Sequence, residues 1–442
     1  MRSTKIFSFV SFLPRFPVAM VLPMLGAGWW QPGNKPNFRN LGLIPAKDLT
    51  TLFQQHGPKT KSLLPVTETL TLVVGASVSG LALAASLQKQ DLEYILLEKE
   101  GQVVTPWRNH YDRLHLHTNK RVSNLPYKKF DPSIPRYPSR QQVVEYLEGY
   151  CQAFRIEPHL QTEAKSIRKE GSFWITTTNK DTYKSKYVVM ATGPFGKPKP
   201  VLLRGAETFP GKILHSYQYK TGKEFKGQHV LVVGFGNSAC EIAIDLYEQG
   251  AVPAMAVRSP VNVIPRDLLG IPILEVSLLL SRLSSSLADT ISAPVMWLKF
   301  GNLSRLGLVK KSYGPFSEIQ RDGTTPVLDI GTISHIRKGH IAIYGDIDHL
   351  EGKTVHFRNE GRQEFDSIVA AIGYYRDYAE IVQVEQSRFD DLQVSLDKQQ
   401  FFGKDGLYFC GYWVGPTGQI REIGLDARKI ARDIAKKENI PR

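Results

Sequence analysis

Cysteine is scarce in this 442-residue chain: Cys151, Cys240 and Cys410 are the three present, far apart and without a CxxC pair. That excludes a zinc-ribbon site and a dithiol redox centre, and three scattered thiols suit a reducing compartment. GxSxG is also missing, so the chain lacks the nucleophile elbow of a serine hydrolase. Long apolar runs are missing too. IFSFVSFL (6–13) is too short to span a bilayer, and the run after it is broken by Pro14, Arg15, Pro17 and Pro23. The most apolar long stretch, 271–300, is interrupted by Ser, Arg and Asp and broken by Pro294, so it does not read as a membrane span. Acid is absent from the first 47 residues, which hold six Lys/Arg and so six of the +14 net charges. The rest of the chain has no dense basic run. The positive balance therefore suits phosphorylated small molecules and not a nucleic acid.

What is present begins at Leu70. TLTLVVGA (69–76) is a β-branched, apolar strand; VSGLALAASLQKQ (78–90) is rich in helix formers; YILLE (94–98) is a second buried strand that ends on Glu98. Between strand and helix lies a turn that almost spells the dinucleotide fingerprint, with Gly75 and Gly80 in place and Ser77 at the middle glycine. In such a unit the loop and helix amides take a pyrophosphate and the terminal acid takes ribose hydroxyls.

The unit occurs twice. QHVLVVG (228–234) leads into GFGNSA (234–239), with Gly234, Gly236, Asn237 and Ser238 in the turn and Ala239 at the tolerant third position. The helix ACEIAIDLYEQ (239–249) and strand PAMAVRS (253–259) follow, and this strand ends on Arg258. An arginine forks onto a 2′-phosphate that an acid would repel, so Glu98 selects FAD and Arg258 selects NADPH. YVVMATGPFGKP (187–198) and IVAAIGYYRD (368–377) each run a buried strand into glycine and read as crossovers between two domains. The fold expected is α/β: two dinucleotide-binding Rossmann-type domains, with the NADPH domain inserted in the FAD domain. The boundaries expected are 1–66 for a basic extension, 67–204 and 326–442 for the FAD domain, and 205–325 for the NADPH domain. Gly193 in the first crossover and Gly411 after the strand LYFC (407–410) join the cofactor-binding set.

FPGKILHSYQY (209–219) then matches FxGxxxHxxxY, the pattern of flavin-containing monooxygenases; Baeyer–Villiger relatives place Trp where Tyr219 stands. WRNHYDRLHLHT (107–118), YPSRQQVVEYLEGY (137–150), VLVVGFGNSACEIAIDL (230–246), VRSPVNVIPRDLLG (257–270) and TPVLDIGTISHIRKG (325–339) resemble the plant YUCCA branch. The likeness spans about residues 70 to 440 and leaves out the leader. It implies that NADPH reduces FAD, that reduced flavin and O2 form a peroxyflavin, and that bound NADP+ shields it from water. In the YUCCA branch the peroxyflavin attacks indole-3-pyruvate and decarboxylation yields indole-3-acetate. The implied partners are a small-molecule substrate and O2. Trp107 is placed by the family near the flavin, with core packing as the other reading. Asn119 stands where plant YUCCA enzymes have proline. Animal and bacterial relatives have an asparagine near this point beside the flavin, which makes Asn119 a candidate stabiliser of the peroxyflavin; the competing reading is an Asn that holds a turn. In LYFCGYWVGPTGQIREIGLDARKIARDI (407–434) the strand and final helix match, but the loop lacks the plant pattern of tandem basic residues and a small-residue run; the resemblance places that loop facing substrate, so it counts against indole-3-pyruvate specificity.

Several signals stay open at this level. His115 and His117 form an HxH pair without a third ligand, which favours packing over metal. His215 reads as a structural bridge between linker and core. Residues 271–300 read as one or two amphipathic helices in the NADPH domain, with a substrate-tunnel wall, a membrane-surface contact or an oligomer interface as uses. PYKKFDPSIPRYPSR (126–140) reads as a rigid rim. The leader, residues 1–30 above all, is either a targeting or membrane-surface segment or an extension the catalytic unit does not need. The location expected is accordingly cytoplasmic, or an organelle or ER surface. Competing functions are N- or S-oxygenation and a non-catalytic flavoprotein; a disulfide reductase lacks its CxxC.

Overall fold

A computed structural model describes residues 66–358, 361–375, 378–383 and 403–440. The basic extension lies outside the described residues apart from Val66. The chain opens with β1 (Val66–Val74), α1 (Val78–Gln88) and β2 (Tyr94–Leu97). Leu72, Val73, Leu96 and Leu97 are buried, as a parallel sheet covered on both faces requires. Then follow α2 (Arg140–Ala153), β3 (Ala164–Glu170), β4 (Phe173–Thr178) and β5 (Thr182–Met190). Ser139 starts α2 with a full capping box: its hydroxyl accepts from the Gln142 N–H while the Gln142 side chain accepts from the Ser139 N–H.

Past β6 (Lys197–Pro198) a second sheet begins with β7 (Lys212–His215) and β8 (His229–Val233), then α3 (Asn237–Glu248) and β9 (Val252–Ala256). An excursion carries β10 (Val263–Pro265), α4 (Ile273–Leu280), α5 (Ser285–Phe300) and β11 (Val327–Asp329). The sheet resumes with β12 (Ala342–Tyr344) and β13 (Ser367–Ala370). Its order is β12-β9-β8-β13-β7, all parallel. The chain leaves through β14 (Tyr374–Tyr375) and returns to the first sheet as β15 (Val382–Gln383) and β16 (Leu407–Phe409), before α6 (Gln419–Lys437) packs on α1. The first sheet has the order β2-β1-β5-β4-β3-β15, with β16 on β5.

Two Rossmann-type sheets are therefore present, and the second is an insertion in the first. The boundary expected at 325/326 needs correction. β12 and β13 belong to the second sheet, so the insertion runs on to Ala370. The strand near 326 that suggested a return is β11, which pairs with β10 inside the insertion. The strand that does close the insertion, β13, is buried along its length between β8 and β7. The entry and exit strands are hydrogen-bonded to each other, with Tyr374 opposite Pro198 and Tyr375 opposite Lys197. Among the described residues no helix is long and apolar enough to cross a membrane.

Candidate active site

The first glycine turn is fixed by sterics. Gly75 has φ +104°, a left-handed conformation, and donates its N–H to the Leu97 carbonyl at 2.8 Å. A Cβ on Gly80 would lie 1.9 Å from the Gly75 carbonyl oxygen, so only glycine lets α1 pack this closely on the turn. Ser77 is the N-cap residue of α1, half-buried, and its side chain makes no capping hydrogen bond. The first-turn amides of α1 are thus left for a ligand. Glu98 is buried, and its two oxygens are held by the N–H groups of Ala76 (2.8 Å) and Glu100 (3.0 Å). Gly75, Ser77 and Glu98 line one cleft of about 160 Å³, together with Thr162, Ala191 and Thr192. Turn, helix N-terminus and acid thus share one cleft.

Of the other residues expected near FAD, Gly411 has φ +75°, and a Cβ there would meet Ser79 Oγ at 2.4 Å. It locks the end of β16 against α1. Its N–H donates to Asp426 on α6 at 3.3 Å, and its carbonyl accepts from Gln419. Gly193 has φ +78° beside open space just past β5. Trp107 packs against the first core with its ring edge-on to His110, and it lines neither the cleft nor the cavity described below. Its packing role is the one the structure displays.

The second turn repeats the first. Gly234 has φ +116° and donates its N–H to the Ala256 carbonyl at 2.9 Å, the counterpart of the Gly75–Leu97 bond. Gly236 caps α3 with open space around it. Asn237 Oδ1 accepts from the Leu328 N–H at 2.8 Å, which ties the turn to β11. Ser238 is half-buried beside the phenol of Tyr111. Arg258 lies two residues past β9 and is exposed, whereas Glu98 at the equivalent end of β2 is buried.

The fingerprint 209–219 ties the domains together. His215 Nε2 hydrogen-bonds the Gly373 carbonyl at 3.1 Å, on the exit linker, and burial pushes its pKa down. Tyr219 donates to Asp245 on α3 at 2.6 Å, and Asp245 also accepts from the Gly222 N–H. Glu241, Asp245 and Glu248 occupy one face of α3 at helical spacing. Their partners are His117, Tyr219 and Arg113, the last bidentate at 2.9 Å to each Glu248 oxygen. The segment 111–117 of the first domain is thereby docked along the helix that starts at the second turn. This acidic face was missed from sequence, although acids at i, i+4 and i+7 in an apolar helix were its signal.

Beside that docking lies a cavity of about 310 Å³. Its walls are mostly apolar: Leu274 and Leu280 of α4, Met296 of α5, Phe316, Leu328 and Val414. Residues 271–300 therefore form two helices, and both contribute to this wall. Their other sides leave Leu279, Trp297 and Leu298 exposed. Asn237 reaches the cavity from the second turn, and Gly418 and Gln419 from the start of α6. Among the described residues, His117 is the single ionisable residue of the lining. It pairs through Nε2 with Glu241, which is 1% exposed. His115 is exposed and turns to the Arg113 carbonyl instead, so the HxH pair is split between two partners.

Asn119 does not line the cavity; its neighbour Thr118 does. It is 1% exposed, its Oδ1 accepts from the Val122 N–H at 3.1 Å, and its Nδ2 donates to Glu275 of α4 at 2.8 Å. Of the two readings open for Asn119, this geometry is that of the turn. The reason is local: a buried amide finds its partners in its own loop and in the helix above it.

A family model described as pyridine nucleotide-disulphide oxidoreductase matches residues 72–266. The chain is 36% identical over 373 residues to the probable indole-3-pyruvate monooxygenase YUCCA1 of Arabidopsis thaliana, covering 82% of this chain and 89% of that protein. It is 34% identical over 377 residues to the indole-3-pyruvate monooxygenase YUCCA6 of the same plant, covering 83% and 90%. Among solved structures, a flavin-containing monooxygenase from Stenotrophomonas maltophilia aligns over 84% of this chain and 99% of its own, with TM-score 0.62 and 17% identity. Cyclohexanone monooxygenase from Rhodococcus sp. Phi1 bound to NADP+ aligns over 85% of each chain, with TM-score 0.65 and 17% identity.

Proposed function

The chain belongs to the YUCCA-type flavin-containing monooxygenases, and from that premise we propose that it oxidatively decarboxylates an aryl-pyruvate, with indole-3-pyruvate going to indole-3-acetate. It is an NADPH-dependent flavin monooxygenase. The observation that carries the finer reading is the relatives' activity together with the extent of the match, which takes in about nine-tenths of their length. The overall reaction balances as aryl-pyruvate, O2, NADPH and a proton giving aryl-acetate, CO2, NADP+ and water.

In this reading Gly75, Ser77, Gly80 and Glu98 hold FAD, with Gly411 and Gly193 at the ends of the flavin-side strands. Gly234, Gly236, Asn237, Ser238 and Arg258 hold NADPH. When bound, the flavin would supply the activation of O2 and the nicotinamide nucleotide the reducing equivalents. The chain's own part is to seat the ring of the substrate on apolar walls, to exclude water from the cavity, and to bring the first residues of two helices, Asn237 and Gln419, to its lining.

A product assay tests the reading. The flavin-loaded enzyme with NADPH, air and indole-3-pyruvate should release indole-3-acetate in step with NADPH consumption. A tertiary amine in place of the keto acid should give little N-oxide. The reverse pattern would favour the N-oxygenating alternative.

A further inference from the structure

An aryl-pyruvate is an anion, and burying a carboxylate without a partner is strongly unfavourable. Among the described residues, the cavity lining offers one side chain that can carry positive charge, His117. We infer that His117, held in place by Glu241, receives the carboxylate of a 2-oxo acid substrate and sets the enzyme's preference for anionic over neutral ketones. This inference rests on the aryl-pyruvate reading above.

The geometry assigns the two ring nitrogens different tasks. Nε2 is engaged by Glu241 Oε1 on α3. A carboxylate in that position fixes the ring and takes Nε2, so that Nδ1 is the ring nitrogen left for a ligand, a donor whenever the ring carries both protons. Glu241 is buried at the foot of this arrangement, flanked by Tyr111, whose phenol is held protonated by burial and by the Glu241 charge. Glu241 is thus a positioning residue, and His117 is the group that meets substrate. Asn237, one turn before Glu241 on α3, lines the same cavity, so the nicotinamide nucleotide and the anion anchor are set by one helix. Thr118 beside His117 packs toward Gly418 at the start of α6, which brings the anchor to the flavin side of the cavity as well.

The test is a pair of equilibrium titrations on the flavin-loaded enzyme with NADP+ present, followed by the change in flavin absorbance. The probes are phenylpyruvate and phenylacetone, which share the aryl ketone and differ in the carboxylate. Wild type should bind the keto acid about tenfold or more tightly than the ketone, the worth of one charge-assisted hydrogen bond. In His117→Gln, whose amide can still donate to Glu241, that ratio should collapse toward one. Glu241→Gln should lower the ratio while leaving phenylacetone binding in place, which a merely structural role of Glu241 would not do. An unchanged ratio in His117→Gln overturns the inference, as does a wild type with no preference for the anion. If His117→Gln fails to retain flavin, the ratio in Glu241→Gln decides by the same criterion. Product formation is scored apart: a wild type that prefers the anion but releases no aryl-acetate contradicts the proposed function and not the anchor.

Discussion

Ser77 occupies the place where a dinucleotide turn usually carries its middle glycine, and its backbone does not require one. The residue is extended and half-buried, so its backbone is unstrained, and its hydroxyl makes no capping bond and can turn to a phosphate oxygen. Ser77→Gly should hold FAD affinity or raise it slightly, as measured by titrating the apoprotein with FAD; a large loss would make the hydroxyl a ligand. Arg258 is the other residue on which cofactor choice turns. Arg258→Ala should weaken NADPH by about 1–3 kcal/mol and NADH far less, which steady-state KM values for both nucleotides would check. Equal losses would remove Arg258 from the 2′-phosphate. At this scale the sequence was readable where sterics dictate the residue. Gly75, Gly80 and Gly234 each sit where a Cβ meets a backbone oxygen within about 3 Å, so the pattern alone identified them. His117 was not readable in the same way. Its partner Glu241 lies 124 residues away, and an HxH spacing says nothing about which histidine will find a carboxylate.

At the scale of elements, α4 is attached to the loop beneath it through Asn119 and Glu275. Asn119→Ala removes that bond together with the turn bond to Val122, and it leaves Glu275 without its amide partner. The expected result is a loss of about 1–3 kcal/mol in urea unfolding of the flavin-loaded enzyme. Unchanged stability with lost turnover would instead return Asn119 to the chemistry. The helices of 271–300 were legible as amphipathic pieces, because Pro294 and the polar interruptions rule out one long span. Which side of them faces a cavity depends on packing against Leu328 and Phe316, which lie far along the chain. The end of the insertion was misplaced for a related reason. β11 and β13 look alike as short apolar strands, and only their pairing partners separate them.

Across the whole molecule, the two Rossmann-type units meet along α3, with α6 closing the flavin side. On α6, burial pushes the carboxyl of Asp426 up to about 7; Glu422 adds to the rise, and the Gly411 amide and Lys429 oppose it. A carboxyl whose folded pKa is raised favours the folded state at low pH, and that contribution is lost as pH rises through the folded value. Asp426→Asn should therefore gain on wild type in melting temperature as pH goes from about 5 to about 8, and a constant difference would contradict this. The two-domain plan was legible because the strand–turn–helix–strand unit occurs twice with opposite terminal charges. The docking between units was not, since the acids of α3 mark only one side of it, and their partners, such as Arg113 for Glu248, lie far along the chain.

The central claim is that this flavoprotein spends NADPH and O2 on an aryl-pyruvate, and one measurement addresses it most directly. Purified, flavin-loaded enzyme is given NADPH, air and indole-3-pyruvate, and indole-3-acetate is quantified against an enzyme-free control. The claim predicts indole-3-acetate formed in proportion to NADPH oxidised; NADPH oxidation with indole-3-acetate no higher than the control would contradict it.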